Sequence, residues 1–128
     1  MKPTSIRLRP TQPADLPFVR DAEQHPDNSP YIDQWSSKAH NRAINSPEYG
    51  HFIVEAAASL PSEKPTSSAV GYTIVSGLQD QNRVLLLKRI VIVQKGKGYG
   101  RGAIQQVKKL AFEQLGFHRL WMDVLTSN

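Results

Sequence analysis

The hydrophobic positions of the chain recur with two periods, one close to two residues and one of three to four. Strict alternation, as in Ser5–Pro10, and short apolar runs between polar turns are typical of strands. The predicted strands are Ser5–Pro10, His51–Ala56, Ala69–Leu78, Arg83–Val93 and Leu120–Val124. Apolar residues three and four apart predict helices at Asp15–Glu23, Tyr31–Ile44 and Ala103–Leu115, the last ending at Gly116.

The order of these elements is strand, two helices, a meander of three strands, helix and strand. A run of strands followed by a strand–helix–strand unit predicts an α+β or α/β domain with a mixed, mostly antiparallel sheet flanked by helices. The Pro- and Ser-rich stretch Ser59–Ser68 predicts a surface loop joining two strands of a hairpin. The length of 128 residues predicts one domain, residues 1–128.

Composition narrows the class of protein. The chain is 39% apolar and carries a formal charge of +5, which allows an anionic partner but does not select one. It has no cysteine, and no apolar run approaches the roughly 20 residues of a membrane helix. The histidines His25, His40 and His118 lack metal-like spacing. We therefore expect a cytoplasmic protein without a metal and without a membrane partner.

A glycine-rich segment, Gln94–Gly102 (QKGKGYGRG), separates the long fourth strand from the last helix. Glycines at such a junction let an anion approach the backbone amides at the start of the helix, where the helix dipole adds positive charge. Lys95, Lys97 and Arg101 place cations around the same point. This pattern predicts a pyrophosphate site, while a solvated turn with lysines for solubility is the simpler alternative.

Two nucleotide motifs compete for the same residues. The Walker motif needs a Ser or Thr that is absent here, so ATP hydrolysis of that type is excluded. Gly98–Ala103 satisfies the dinucleotide fingerprint Gly-x-Gly-x-x-Ala, with Asp123 near the expected distance for the ribose-binding acid. That fingerprint belongs to the first strand of a nucleotide-binding half, whereas a meander precedes it here.

The segment Lys95–Gly100 resembles the signature Gln/Arg-x-x-Gly-x-Gly/Ala of the GNAT acetyltransferase family, with Lys95 in the basic first place. The predicted order of elements is similar to that fold over essentially the whole chain. The stretch from Leu85 to Val124 looks closest to the ribosomal-protein N-terminal and spermidine acetyltransferases.

The resemblance implies that acetyl-CoA is the co-substrate and that its acetyl group passes directly to a primary amine, such as a protein N-terminus, a polyamine or another small amine. Its pantetheine arm is expected beside the end of the fourth strand, where that strand and the fifth splay apart. The implied cofactor-binding residues are Ile90, Val91, Ile92, Val93, Lys95, Gly96, Lys97, Gly98, Tyr99, Gly100 and Arg101.

Two departures from the family pattern concern catalysis. Val84–Val93 contains no Asp, Glu or His, although many members carry a carboxylate base on this strand. We therefore name Glu55 as a candidate base acting through water, with His51 as another. The sequence also ends at Asn128, where the family continues into a helix with a tyrosine acid and further strands. The resemblance gives Asn128 a contact with the pantetheine arm.

A chain that ends there is expected to be truncated or to be completed by a partner, and a homodimer is one form of this. Tyr31 and Trp35 lie on the helices that usually wall the acceptor site, although their spacing also suits a core. A non-catalytic module that binds acyl-CoA is the alternative to an enzyme. The scattered Lys and Arg residues argue against a nucleic-acid surface.

Overall fold

The computed structural model describes residues 5–24, 36–58, 66–93 and 98–122. Its strands and helices are β1 (Ser5–Pro10), α1 (Leu16–Gln24), α2 (Ser37–Asn45), β2 (Tyr49–Ala58), β3 (Thr66–Ser76), β4 (Val84–Ile92), α3 (Tyr99–Lys109) and β5 (Arg119–Met122). A 3₁₀ turn precedes α1 and a π-helical turn extends α3. None of the described helices is long and apolar enough to span a membrane.

The strands form one five-stranded sheet in the order of the sequence. Neighbours from β1 to β4 are antiparallel, and β5 runs parallel to β4. The prediction of a mixed, mostly antiparallel sheet flanked by helices is confirmed. The crossover through α3 makes the last pair parallel, because a strand that returns through a helix re-enters the sheet in the same direction.

Three element boundaries differ most from the prediction. Helix α2 begins at Ser37, after the extended N-cap Ser36, rather than at Tyr31. The hairpin of β2 and β3 extends to the pair Ala58↔Thr66, so it includes part of the predicted loop Ser59–Ser68. Helix α3 begins at Tyr99 rather than at Ala103. Its start is set by Gly98, whose φ of 77° places the backbone in the left-handed region that favours glycine.

The helices cover opposite faces of the sheet. Leu85 and Leu87 of β4 pack with Val107 of α3. Val91, farther along the same strand, packs with Val19 of α1. Strand β4 therefore contributes to the cores on both faces.

A register shift in β4 explains this change of face. Ile74 of β3 pairs with Arg89, whereas the next residue, Val75, pairs with Leu87, so Lys88 is an extra residue between the two pairs. A bulge of one residue reverses the alternation that follows it. Arg89 consequently lies on the face covered by α1 and α2, while Leu87 lies on the face covered by α3.

Helix α3 lies close to β1 because Gly102 has no side chain. A Cβ atom at this position would be 2.7 Å from Cγ1 of Ile6 and 3.2 Å from its Cβ. At Gly100 the nearest atom, Cγ1 of Ile92, would be 3.8 Å away, an ordinary contact. Gly102 thus allows the helix to pack closely on the sheet.

Gly102→Ala should destabilise the fold relative to Gly100→Ala. Both changes gain similar helix propensity, so the difference isolates the collision with Ile6, and overpacking of this kind costs about 1–3 kcal/mol. The difference in the free energy of unfolding between the two variants is measured by urea unfolding. Equal free energies of unfolding would show that α3 does not depend on this close approach.

Candidate active site

The first turn of α3 presents backbone donors without competing side chains. Gly98 is the N-cap and has no side chain to accept their hydrogen bonds, and the first bond of the helix runs from the Gly102 N–H to the Gly98 carbonyl, 3.1 Å. The N–H groups of Tyr99, Gly100 and Arg101 precede that bond, as in any helix. The first turn contains no acidic residue. This end of α3 therefore suits an anion.

The end of β4 leads towards this helix start. Ile90 and Ile92 pack on the α3 face together with Tyr99, while Val91 and Val93 pack on the α1 face. In the described chain β5 follows β4 only to the pair Leu87↔Met122. Since both side-chain rows are packed into cores, a ligand beside this segment would meet mainly backbone.

Several residues of the predicted site lie outside the described residues. They are Lys95, Gly96, Lys97 and Asn128, together with Tyr31, Trp35 and Asp123. The predictions for Lys95, Gly96, Lys97 and Asn128 stay predictions. The structure brings together the end of β4 with Gly98, Tyr99, Gly100 and Arg101, of which Arg101 is exposed.

Glu55 lies on the α1 face in an ion-pair cluster. Its Oε1 accepts from Nε of Arg7 at 2.7 Å and its Oε2 from Nε of Arg9 at 2.8 Å. Arg9 also binds Asp15. Burial raises the pKa of the Glu55 carboxyl, but the hydrogen bonds from Arg9 and Arg7 outweigh it and bring the pKa below its usual value. The role of Glu55 as a base stays a prediction, and this pairing disfavours proton uptake.

A second polar cluster is buried under α1 and α2. It consists of Glu23 of α1, His40 of α2, His51 of β2 and Thr11 after β1, each at most 5% exposed. Nε2 of His40 lies 2.9 Å from Oε1 of Glu23, Nδ1 of His40 lies 3.0 Å from Nε2 of His51, and Nδ1 of His51 lies 2.8 Å from Oγ1 of Thr11. One continuous chain of hydrogen bonds thus joins both helices to the sheet.

The Glu23 carboxylate, at one end of this chain of hydrogen bonds, determines which nitrogen of His40 carries a proton. An ionised carboxylate only accepts, so Nε2 of His40 carries a proton and donates to Glu23. If His40 is neutral, His51 donates to it and Thr11 donates to His51. A second proton on His40 reverses these two bonds. His51 is neutral in both arrangements, which suits its burial.

Among the described residues, Tyr72 and Arg89 of the sheet also bind Glu23. The hydroxyl of Tyr72 in β3 donates to Oε2 at 2.8 Å, and Nη1 of Arg89 in β4 donates to the same oxygen. Burial raises the pKa of the Glu23 carboxyl, but the hydrogen bonds from His40 and Tyr72, with the charge of Arg89, lower it by more. Glu23 is therefore an ionised carboxylate inside the protein.

The sequence analysis missed this cluster. It gave no role to Glu23 or His40, and it considered His51 only as a possible base. The available signal was the position of Glu23, four residues after Val19 and one after Ala22, on the apolar stripe of α1. A carboxylate on a buried stripe needs donors, and these come from segments distant in sequence.

An open pocket of about 380 Å³ lies elsewhere, between α2 and the start of β2. It is lined by Ala39, Arg42, Ala43, Ser46, Glu48 and Tyr49. None of these residues belongs to the junction of β4 and α3. Its size alone does not make it the reaction site.

The stability of the fold should fall between about pH 6.5 and about pH 4 through His51. Burial, followed by the charge of His40, lowers the pKa of His51 from 6.5 to about 4. The unfolded chain takes up this proton first as the pH falls, so about 3 kcal/mol is lost across that window. Urea unfolding against pH measures this loss, and His51→Gln should flatten it. His118→Gln, at an exposed site, is the control and should keep the pH dependence of the wild type. An unchanged pH dependence of the unfolding free energy in His51→Gln, or a flattened one in the control, would contradict the role of His51.

Similarity to known proteins agrees with this geometry. Residues 5–128 match the family described as acetyltransferase (GNAT) domain. The fold is similar to spermidine N-acetyltransferase from Vibrio cholerae in complex with CoA and spermine, with a TM-score of 0.75 and 19% identity over 94% of this chain and 71% of that one. It is also similar to a domain from Methanocaldococcus jannaschii, with a TM-score of 0.73 and 19% identity over 98% of this chain and 80% of that one.

A third similar structure is a dodecameric form of the Vibrio cholerae enzyme, with a TM-score of 0.66 and 19% identity over 92% of this chain and 68% of that one. No curated protein matches the chain. At these identities the structural likeness establishes the fold, while the family match over residues 5–128 establishes descent. The predicted family is confirmed: the chain belongs to the GNAT acetyltransferases.

Proposed function

We propose that the protein is an N-acetyltransferase that passes an acetyl group from acetyl-CoA directly to a primary amine. The observation that carries this proposal is the junction of β4 and α3, in a chain that belongs to the GNAT family. There the end of a strand leads to a helix start with exposed donors and no acidic side chain.

The residues at the junction fit the diphosphate of CoA. Among the described residues, apart from Gly98 and its neighbours in the chain, no heavy atom lies within 4 Å of where a Cβ of Gly98 would stand, which leaves room for a phosphate to approach the backbone. The amides of Tyr99, Gly100 and Arg101 would donate to it, and the dipole of α3 favours its charge. Arg101 would add a mobile cation, and we retain Lys95, Gly96 and Lys97 as proposed contacts.

The pantetheine arm would lie beside Ile90–Val93. The pantetheine arm is extended and contains amide groups, so it can form hydrogen bonds with the N–H and C=O groups at the edge of a strand, as an added peptide strand does. When bound, acetyl-CoA supplies the activated acetyl group. The chain itself would orient the thioester on β4 and shield it between the cores on the two faces of the sheet.

The acceptor is a primary amine in this proposal. Polyamines are favoured by the similar structures from Vibrio cholerae, which are spermidine N-acetyltransferases and of which one is in complex with CoA and spermine. A protein or peptide N-terminus is the other acceptor to test. Self-association is also proposed, since one neighbour is dodecameric.

A non-catalytic acyl-CoA-binding role is the second candidate. It is favoured by the absence of Asp, Glu and His from Val84–Val93 and by the two guanidinium partners of Glu55. The two candidate functions are distinguished by measuring the release of free thiol from acetyl-CoA in the presence of spermidine, spermine or a peptide with a free N-terminus. Binding without thiol release would favour the module.

Acetyl-CoA should raise the melting temperature, and Gly100→Glu should weaken its binding at least about tenfold. The new carboxylate would repel the phosphates and occupy their approach to the helix amides. Titration calorimetry measures the affinity, with Gln105→Glu as a control that adds the same charge to an exposed position of α3.

The affinity of the control variant for acetyl-CoA should lie within about twofold of the wild-type affinity, since a solvated charge farther along the helix is screened. Unchanged affinity in Gly100→Glu would remove the proposed phosphate site. A rise in melting temperature with NAD or NADP, and none with acetyl-CoA, would support the dinucleotide interpretation instead.

A further inference from the structure

The pocket between α2 and the start of β2 differs in its chemistry from the junction of β4 and α3. Glu48 and Tyr49 form one of its walls. The other wall is a stripe at the end of α2 with helical spacing, formed by Ala39, Arg42, Ala43 and Ser46. The pocket thus combines apolar surface with one cation and one carboxylate.

The Glu48 carboxylate is held in a defined place. Its Oε2 accepts a hydrogen bond from the N–H of Gln79, 3.2 Å away in the turn between β3 and β4. The Glu48 backbone is fixed as well: its carbonyl accepts from the N–H of Leu78 at 3.0 Å, and its N–H donates to the hydroxyl of Ser46 at 3.3 Å. The acidic wall of the pocket is therefore ordered before a ligand binds, which lowers the entropic cost of binding.

The Arg42 guanidinium is exposed at the same pocket. The ion pairs in the part of the chain that the structure describes include neither Arg42 nor Glu48, so these two charges do not neutralise each other. A pocket that carries two unpaired charges of opposite sign is complementary to a ligand that carries both.

The C-terminal end of α2 contributes to the pocket. Ser46 is the C-cap of this helix, and Arg42 belongs to its last turn. The last carbonyl groups of a helix carry partial negative charge, which favours a positively charged group nearby. A ligand ammonium beside Glu48 would therefore be stabilised by the carboxylate and by the helix end.

We propose that this pocket binds a free α-amino acid with an apolar side chain. The ammonium would pair with Glu48, the carboxylate with Arg42, and the side chain would contact Ala39, Ala43 and Tyr49. The volume of about 380 Å³ lies within the range of small-molecule sites, about 300–1,000 Å³. The inference concerns a second site and does not depend on the proposed acetyl transfer.

The two charges favour a zwitterion over other small ligands. A polyamine would be repelled by Arg42, and an inorganic phosphate would be repelled by Glu48. An α-amino acid avoids both repulsions when each of its charges faces the opposite charge of the pocket. Its apolar side chain then removes the alanine surface of α2 from water.

Leucine is the probe, and amide shifts in proton–nitrogen NMR spectra of the whole chain give both its affinity and its position. Saturable shifts are expected at residues 39–49 and at Gln79, and not at the start of α3. Three matched compounds each remove one feature: leucinamide lacks the carboxylate, N-acetylleucine lacks the ammonium, and glycine lacks the apolar side chain. Each should bind at least about threefold more weakly than leucine.

Two variants separate the roles of the two charges. Arg42→Gln should weaken the binding of leucine and N-acetylleucine by at least about threefold, but not that of leucinamide, which has no carboxylate for Arg42 to bind. Glu48→Gln should weaken the binding of leucine and leucinamide, but not that of N-acetylleucine. The new amide oxygen can still accept from the N–H of Gln79, so this variant preserves the turn.

Lys38→Gln is the matched control. It removes a positive charge from an exposed position of α2 that does not line the pocket, and its affinity for leucine should equal that of the wild type. An equal loss of affinity in Lys38→Gln and Arg42→Gln would show that only the net charge of the protein matters, which would contradict the proposed pairing.

Three further results would overturn the inference. The first is the absence of saturable shifts up to about 50 mM leucine, a concentration well above the millimolar dissociation constants of weak ligands. The second is equal affinity for leucine, leucinamide and N-acetylleucine, which would show that neither charge is recognised. The third is a set of saturable shifts confined to the start of α3. None of these measurements requires acetyl transfer, so the inference and the proposed function can fail independently.

Discussion

The bulge at Lys88 is the constraint on which the arrangement of both faces depends. Before it, Leu85 and Leu87 pack under α3; after it, Arg89 and Val91 lie under α1. Without the extra residue, the alternation of a regular strand would place Arg89 in the apolar core beneath α3. The shift instead brings the guanidinium to the carboxylate of Glu23, and it allows Ile90 and Ile92 to pack beside Tyr99 at the start of α3.

The buried polar chain gives the helices a defined position at an energetic cost. Desolvation of Glu23 and Arg89 is repaid only when every lone pair and proton has a partner. In the described part of the chain, no fully buried side-chain nitrogen or oxygen lacks a hydrogen bond. Apolar side chains would hold α1 on the sheet with less directional preference. The network therefore links the register of β4 to the placement of both α1 and α2.

The sequence predicted the order of the elements because each depends on a local period or a nearby turn. It also located the junction of β4 and α3, since glycines and cations there are adjacent in the chain. It did not separate the functions of those glycines: Gly98 sets the start of the helix, while Gly102 makes room for Ile6 of β1. That difference depends on a strand nearly a hundred residues away.

The bulge and the buried cluster could not be predicted for the same reason. Val84–Val93 is almost continuously apolar, so its pattern does not indicate which side chains face which helix. The face of Arg89 depends on pairing with β3, and the role of Glu23 depends on donors from three other segments. Likewise, the ion pairs of Glu55 follow from the register of β1 against β2.

Amide hydrogen exchange with and without acetyl-CoA tests the central claim, that the co-substrate occupies the junction of β4 and α3. The account predicts slower exchange in Ile90–Val93 and in the first turn of α3, from Tyr99 to Arg101. Slower exchange confined to the lining of the pocket between α2 and β2, or no change at the start of α3, would contradict it.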